Sequence, residues 1–509
     1  MKQTTFFNLF FFTLGLLALC QPGLAQGGKY KIGDQVYYCA VTWGGEMVWA
    51  KGLVAAYDPG YPEEPYEVKW VQSDCPNRYG NVFLKEENMF TEPKTECNYC
   101  SGGFPAQVRL DVKQDKVLTF LSNGGVNYIY EQANPLYPPT LVKKFDDSDK
   151  PFGFAGHDAE QKFFVVTAGG AGTASFNLKT VTGAGNPVTQ PFPLGESSLN
   201  DDTKLQTVFS NGKGMFAYQA KGEIHSSGYF HAFNGEGASQ GTTFTGSHNF
   251  GHRALYDGSH WVILSANDAT PAPGVNIQKL VGSELKKRMI FSSPLYWDPT
   301  YEHNMIRAYY PRLAGFGCDA DGYGVAFVRP KHTTAPTNMP YNIGYVHVVK
   351  DFQDKTGSQQ DITGSGLLDN TGTEHNRTVF FGVKNTDPRE VKQKVAWVTD
   401  YTEASGKYPA NPCLVYLPDA NRYLVIWEET IAQGNKYVST KACLLTNTGE
   451  IKATKDIGAH RLNPVDNLYS WDGKGVWATV TSGNKVKMNI ISVANDQITH
   501  FAQETNLPQ

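Results

Sequence analysis

Three basic positions stand just ahead of apolar, strand-like runs in this chain: His252-Arg253, Arg312 and His460-Arg461. A guanidinium offers a planar set of donors that meets a carboxylate, sulfate or phosphate with paired hydrogen bonds. If the runs that follow are equivalent strands of one repeating fold, these bases converge on a single opening, with His252 and His460 beside them. Anion binding is the chemistry such a cluster does. Salt bridges between repeats, or solvated loop positions, are the plainer use of the same residues.

The other candidate chemistry is thinner. Asp146-Asp147-Ser148-Asp149 groups three carboxylates as a Ca²⁺ loop would, although an acidic loop in water has the same composition. Asp319-Ala320-Asp321-Gly322 opens like a calcium loop but lacks the closing Glu. His248-x-x-x-His252 has zinc-like spacing, but its Gly-rich surroundings offer no helix to put both rings on one face. Cys97-x-x-Cys100 is a single pair with no partner at zinc-ribbon spacing, so a structural disulfide is its favoured use. No GxSxG, Walker or dinucleotide glycine pattern with the required flanks is present. The sequence therefore predicts no cofactor, no metal and no catalytic residue. Asn376-Arg377-Thr378 is a glycosylation sequon of the kind chance supplies.

The elements that must position these residues repeat. From about residue 104 to 503 the chain returns to one unit: an apolar strand, a turn on Asp/Asn-x-Gly or a relative, then a strand of aromatic and β-branched residues. Copies run from Leu255 to Leu264, Cys318 to Phe327 and Tyr416 to Glu428, with weaker ones at Val208 to Phe216 and Tyr469 to Trp477. Degenerate ones surround His157-Asp158 and Asp111 to Phe120. The turns recur about every 45 to 60 residues, the period of four-stranded propeller blades. One gap, from Asp321 to Asp419, is longer. As an insertion it gives seven blades, the favoured count; a further blade near Val379 to Val398 would make eight. A pair of β-sandwiches is the rival, and the single recurring turn type argues against it.

The unit resembles the "DGxxYLVVW" repeats of exported bacterial propellers, which hold ligands at the channel mouth. A propeller with three arginines also invites comparison with sialidases. Ser470-x-Asp472-x-Lys474-x-Val476-Trp477 resembles one Asp-box, but Lys474 and Val476 replace its Gly and Thr, and neither a second copy nor a Tyr/Glu pair follows.

Residues 29–91 read as a compact barrel. A Gly33-Asp34 turn leads into a strand, Val48 to Tyr57 and Tyr66 to Val71 alternate, and Asn81 to Leu84 with Asn88 to Phe90 close the sheet. "GDxV", "WAKGLV", "YEVKW" and "NVFLKEENMF" resemble the Tudor/agenet group of SH3-like barrels. That resemblance implies an aromatic groove drawn from Tyr38, Trp43, Trp49, Tyr57 and Tyr66, working by cation–π attraction. Core rings of a small barrel are the alternative. Residues 92–103 form a Cys-containing linker.

Lys2, the apolar run from Phe6 to Leu19 and the small-residue end Gly23-Leu24-Ala25 read as a signal peptide over 1–25. The run is short for a membrane span, and no later stretch is apolar enough for one. The expected location is extracytoplasmic: secreted, cell-surface or periplasmic. A formal charge of −4 offers nucleic acid no basic face. Of eight cysteines, Cys20 lies in the leader, leaving an odd set that suits disulfides with one thiol to spare. The reading is all-β, a small SH3-like barrel followed by a propeller. The expected function is a binding protein for a glycan, peptide, protein or other anionic ligand at the channel mouth. A propeller enzyme acting on carbohydrate, like a glycoside hydrolase, and a structural envelope or matrix component are the alternatives.

Overall fold

A computed structural model shows two units, Met1–Gly102 and Gly103–Gln509. It describes the backbone of the first unit at residues 35–41, 47–57, 66–72, 81–84 and 89–90. In the second it describes most of 106–507, stretches such as 169–174, 194–197, 200–205, 222–225, 268–273, 293–311, 331–340 and 353–394 excepted.

The first unit holds a five-stranded antiparallel sheet, in the spatial order Asn81–Leu84, Tyr66–Gln72, Met47–Tyr57, Gln35–Val41, Met89–Phe90. The expected strands are there, and two register shifts along Met47–Tyr57 bend it. Tyr38, Trp49, Tyr57 and Tyr66 lie in these strands, and Trp43 lies outside the described residues.

The second unit is a seven-bladed β-propeller. Its blades cover residues 107–146, 151–193, 198–247, 249–292, 312–397, 407–458 and 469–506, numbered 1 to 7 in that order. All are four-stranded except blade 3, where the short strand Ser198–Leu199 makes a fifth. The first strand of each blade, or Gln206–Ser210 in blade 3, touches the corresponding strand of the next, and that of blade 7 (Tyr469–Trp471) touches that of blade 1 (Gln107–Val112). The ring is closed, and these inner strands surround its axis. The long gap in the repeat falls inside blade 5, between its third strand, Tyr341–Val349, and its fourth, Ala396–Trp397, which pair directly. The gap is thus an insertion within a blade.

Burial explains which sequences take which place. Second strands are sandwiched on both faces and read as continuous apolar runs, as in Arg422–Ile431, whose eight central residues are all buried. Outermost strands meet water and turn polar, as in Ile451–Gly458. Seven hydrophobic clusters fill the seven junctions between blades. Each large apolar side chain buried there contributes about 1.5–3 kcal/mol. The tight turns follow from local chemistry. Asn211-Gly212 (φ 53° and 71°) and Asp472-Gly473 (φ 47° and 67°) take the left-handed conformation that two-residue hairpins need.

The turn aspartates tie blades together. Asp111 Oδ2 accepts from Gly156 N at 2.6 Å, joining blades 1 and 2, and Asp158 Oδ2 accepts from Asn211 N at 2.8 Å, joining blades 2 and 3. Asp257 caps its own turn through Oδ1, and its Oδ2 accepts from Tyr323 Oη of blade 5 at 2.5 Å. Asp319 repeats the device, its Oδ1 taking Asp321 N and Gly322 N while its carboxylate is bonded by His347 and by Tyr423 of blade 6. The calcium-like opening at Asp319 is therefore an interblade latch.

Candidate functional site

Chain geometry at the axis is set by β-bulges in the inner strands. In blade 4 the register passes from Phe250↔Ala266 to Arg253↔Leu264, so Gly251 (φ 63°) and His252 together face one partner residue. In blade 6 it passes from Ala410↔Glu428 to Cys413↔Ile426, with Asn411 (φ 47°) in the bulge. Blade 5 shifts between Leu313 and Gly315. A bulge re-aims the chain beyond it, and the first paired residues beyond these three are Arg253, Gly315 and Cys413. At Gly315 a Cβ would lie 2.9 Å from Leu414 N, so only glycine lets the inner strands of blades 5 and 6 approach this closely.

Arg253 is 7% exposed. Its Nη1 donates to the His252 carbonyl at 3.0 Å, and among the described residues its Nε has no partner and no carboxylate answers its charge. Burial pushes its pKa down. The groups that respond to its charge are the Cys413 thiol of blade 6 and the Tyr469 hydroxyl of blade 7. Arg253 itself belongs to the inner strand of blade 4, Asn249–Tyr256, one of the strands that surround the axis.

The other expected anion ligands sit elsewhere. His252 is 2% exposed, with Nε2 3.3 Å from Thr245 Oγ1, and burial followed by Arg253 holds its pKa at about 3, so the ring is neutral. Arg461 lies beyond blade 6, where its Nε donates to Glu428 Oε1 at 2.7 Å and its guanidinium lies 4.5 Å from the Tyr437 ring centroid. The His460 ring meets that of His500 at 4.1 Å. Burial and then Lys487 lower its pKa. Arg312 begins the inner strand of blade 5, and its side chain is outside the description. Among the described residues no contact joins the Arg253 pair to the Arg461 pair. Among the four whose side chains are described, Arg253 is the one buried cation with no carboxylate partner among the described residues.

Three participants carry no signal a reader of sequence would single out. Arg109, in the middle of the blade 1 inner strand, donates through Nη1 to the Val465 carbonyl and is 5% exposed. Asp466 accepts from Leu110 N at 2.7 Å and from Tyr469 Oη at 2.6 Å. Burial raises its pKa and Arg109 pulls it back. Cys413 looks in sequence like any core cysteine.

Hydrolysis of a glycoside needs two carboxylates facing the substrate. The buried carboxylates described here are already engaged. Glu428 accepts from Arg461, Leu462 N and Asn411, and Glu429 from Tyr401 and Lys407. Lys179 Nζ bonds both Asp147 and Asp149, so the acidic stretch at 146–149 holds the chain's own cation. Among the described residues no three His, Cys, Asp or Glu side chains are grouped to hold a metal. His248 lies outside the description.

No protein-family model matches the sequence, and no curated protein matches it. Solved structures resemble it in fold alone. A prolyl endopeptidase aligns at 12% identity and TM-score 0.38 over 78% of this chain, which spans 46% of that chain's length. An exo-1,5-α-L-arabinanase from a bovine ruminal metagenomic library aligns at 10% identity and TM-score 0.28, covering 62% of this chain and 98% of that one. A subtype N11 neuraminidase-like protein from a flat-faced bat isolate of Peru aligns at 11% identity and TM-score 0.33, over 70% of this chain and 87% of that one.

Proposed function

We propose that this chain is an exported binding protein whose propeller receives an anionic ligand in its central channel at Arg253. The SH3-like barrel read from residues 29–91 supplies a second contact or a tether. One observation carries the reading: a guanidinium that is 7% exposed keeps, among the described residues, an unpartnered Nε and no neighbouring carboxylate. Burying such a charge is expensive unless something answers it. A bound anion supplies the missing charge and the missing acceptor. Binding is favoured over hydrolysis because the buried carboxylates described above are already engaged as acceptors of the chain's own donors.

The test is a thermal-shift screen of the mature protein against acetate, sulfate, phosphate, acidic and neutral glycans and peptides, each mixture then assayed for products. Sulfate and phosphate stabilise proteins by exclusion alone, so a shift counts only if Arg253→Met abolishes it. An Arg253-dependent shift with intact ligand is expected. Product formation would replace this reading with an enzyme, and no Arg253-dependent shift with any anion would end it.

A further inference from the structure

We propose that the outer rim of blade 3 is a carbohydrate-binding platform, on which one face of a neutral sugar ring stacks against Phe244 and Tyr229. This site stands apart from the channel and does not rest on the reading of Arg253. Tyr218, Tyr229 and Phe244 lie directly opposite one another on the three outer strands of the blade, Lys213–Lys221, Ser226–Asn234 and Ser239–Ser247. Their rings form a ladder. The Tyr218 and Tyr229 centroids are 5.4 Å apart with the planes at 19°, and those of Tyr229 and Phe244 are 5.5 Å apart at 59°. The inner end is fixed in the core, where Phe176 of blade 2 meets Tyr218 edge-on at 5.0 Å. Exposure rises along the ladder: Tyr218 is buried, Tyr229 half-buried and Phe244 52% exposed. Phe501 of blade 7 is as exposed, but among the described residues no ring supports it.

The surroundings of the ladder select the occupant. Neither Ser226–Asn234 nor Ser239–Ser247 contains an Asp, Glu, Lys or Arg, and neither does Val188–Pro193, the outer strand of blade 2. The outer strands of blades 1, 4, 6 and 7 all carry charge. In the turn between the two blade 3 strands, Glu236 is paired by Lys162 of blade 2 at 2.9 Å. Burial holds His231 at about 4, so that ring is neutral as well. The edge strand offers exposed hydroxyls at Ser239 and Thr242 and an exposed amide at Gln240. Register shifts at Gly228/Tyr229 and Ala232/Phe233, with Gly241 (φ 112°) and Gly246 (φ 143°), distort this edge against the addition of a strand from a protein partner. A pyranose ring presents a face of C–H groups, which meets the negative face of an aromatic ring, and hydroxyls at its margin, which meet neutral donors and acceptors. Because packing already holds the rings in place, little ordering is left for binding to impose.

Native gels cast in turn with soluble starch, β-glucan, xylan and galactomannan, all neutral polysaccharides, test the platform with the purified full chain. At least one of them is expected to retard migration. In Phe244→Ala the apparent Kd for that polysaccharide should rise about three- to tenfold, the factor that one stacked ring carries. Phe244→Trp, which keeps a ring, and Arg253→Met, which alters only the channel, should bind as the parent does. Phe244 is exposed, so its truncation spares the core, and the urea midpoints of parent and Phe244→Ala should agree. No retardation by any of the four, or retardation that Phe244→Ala leaves unchanged, overturns the inference. Phe244-dependent retardation confined to gels cast with polygalacturonate also overturns it, because the ligand would then be acidic. So does a parent that sediments as a dimer where Phe244→Ala sediments as a monomer, which would make the rim a contact between copies of this chain.

Discussion

A charge buried without an opposite charge lowers the stability of whatever holds it, and among the described residues Arg253 has no such partner. Replacing buried ionic groups by apolar ones of similar volume is often neutral or stabilising by about 1–4 kcal/mol. Arg253→Met is therefore expected to raise the midpoint of urea unfolding in anion-free buffer while removing the anion-dependent shift. Lost binding with gained stability is the signature of a functional site; a destabilised variant would mean the guanidinium is structural. The buried histidines make a second prediction at this scale. Burial holds His231 and His500 at about 4 and His252 at about 3, against an ordinary value of 6.5. Their folded pKa values are depressed, so the unfolded chain binds more protons between 6.5 and those values. Stability then rises with pH through this window and falls on acidification from 6.5 towards 4 and below. Each fully buried ring contributes on the order of a few kcal/mol. Unfolding followed from pH 7 to 4 should show the decline, and His231→Phe, a ring that cannot charge, should flatten it. A pH-independent midpoint would mean these rings are hydrated in the folded protein.

Between elements, the unit of cohesion is the turn aspartate that reaches into the next blade. Tyr423 bonds Asp319, and its Oη also accepts from Gly324 N at 3.1 Å, so one phenol serves a carboxylate and a backbone donor of blade 5. Tyr423→Phe strips both of a partner while leaving the ring in its core, and about 1–3 kcal/mol is the expected cost. Chemical denaturation measures it; a change under about 0.5 kcal/mol would show that water replaces the hydroxyl. These latches explain what could be read from sequence. The Asp turns from Leu255 to Leu264, Cys318 to Phe327 and Tyr416 to Glu428 were legible because hairpin geometry and an interblade acceptor demand similar residues in each blade. The blade count was legible once the gap after Asp321 is seen to interrupt one sheet. The site was legible only in part. Arg253 drew attention as a base ahead of an apolar run, but so did Arg461, and nothing local distinguishes a base facing the axis from one paired with Glu428. That difference is made by residues far away in sequence. Arg109 and Asp466 were silent for the same reason, since their meaning arises from contacts spanning more than 350 residues.

A closed ring must join its first blade to its last, and here no strand is shared between them. Blade 1 is drawn wholly from residues 107–146 and blade 7 from 469–506. Closure falls to one apolar junction and to the segment between blades 6 and 7. In that segment Asn463 Nδ2 donates to both Val108 O at 2.8 Å and Ala478 O at 2.9 Å, and Asp466 binds Leu110 N and Tyr469 Oη. The same Asp466 sits beside Arg109, so the clasp and the channel wall are one structure. Asp466→Ala leaves the buried Leu110 N–H and the half-buried Tyr469 hydroxyl without their acceptor and removes the negative charge beside the Arg109 guanidinium, and about 3–5 kcal/mol is the expected loss. Because the ring has a single noncovalent seam, that loss should be local before it is global. Amide exchange should accelerate first at Leu110 and its neighbours in blade 1 and at the Val476 strand in blade 7, with blades 3 to 5 protected until global unfolding. Breaking the exposed Glu450–Lys452 pair by Glu450→Gln, an equal change of charge on the surface, should alter exchange nowhere beyond its own turn. Uniform acceleration across all blades in Asp466→Ala would mean the propeller unfolds as one cooperative body and that its seam is no weaker than its other junctions.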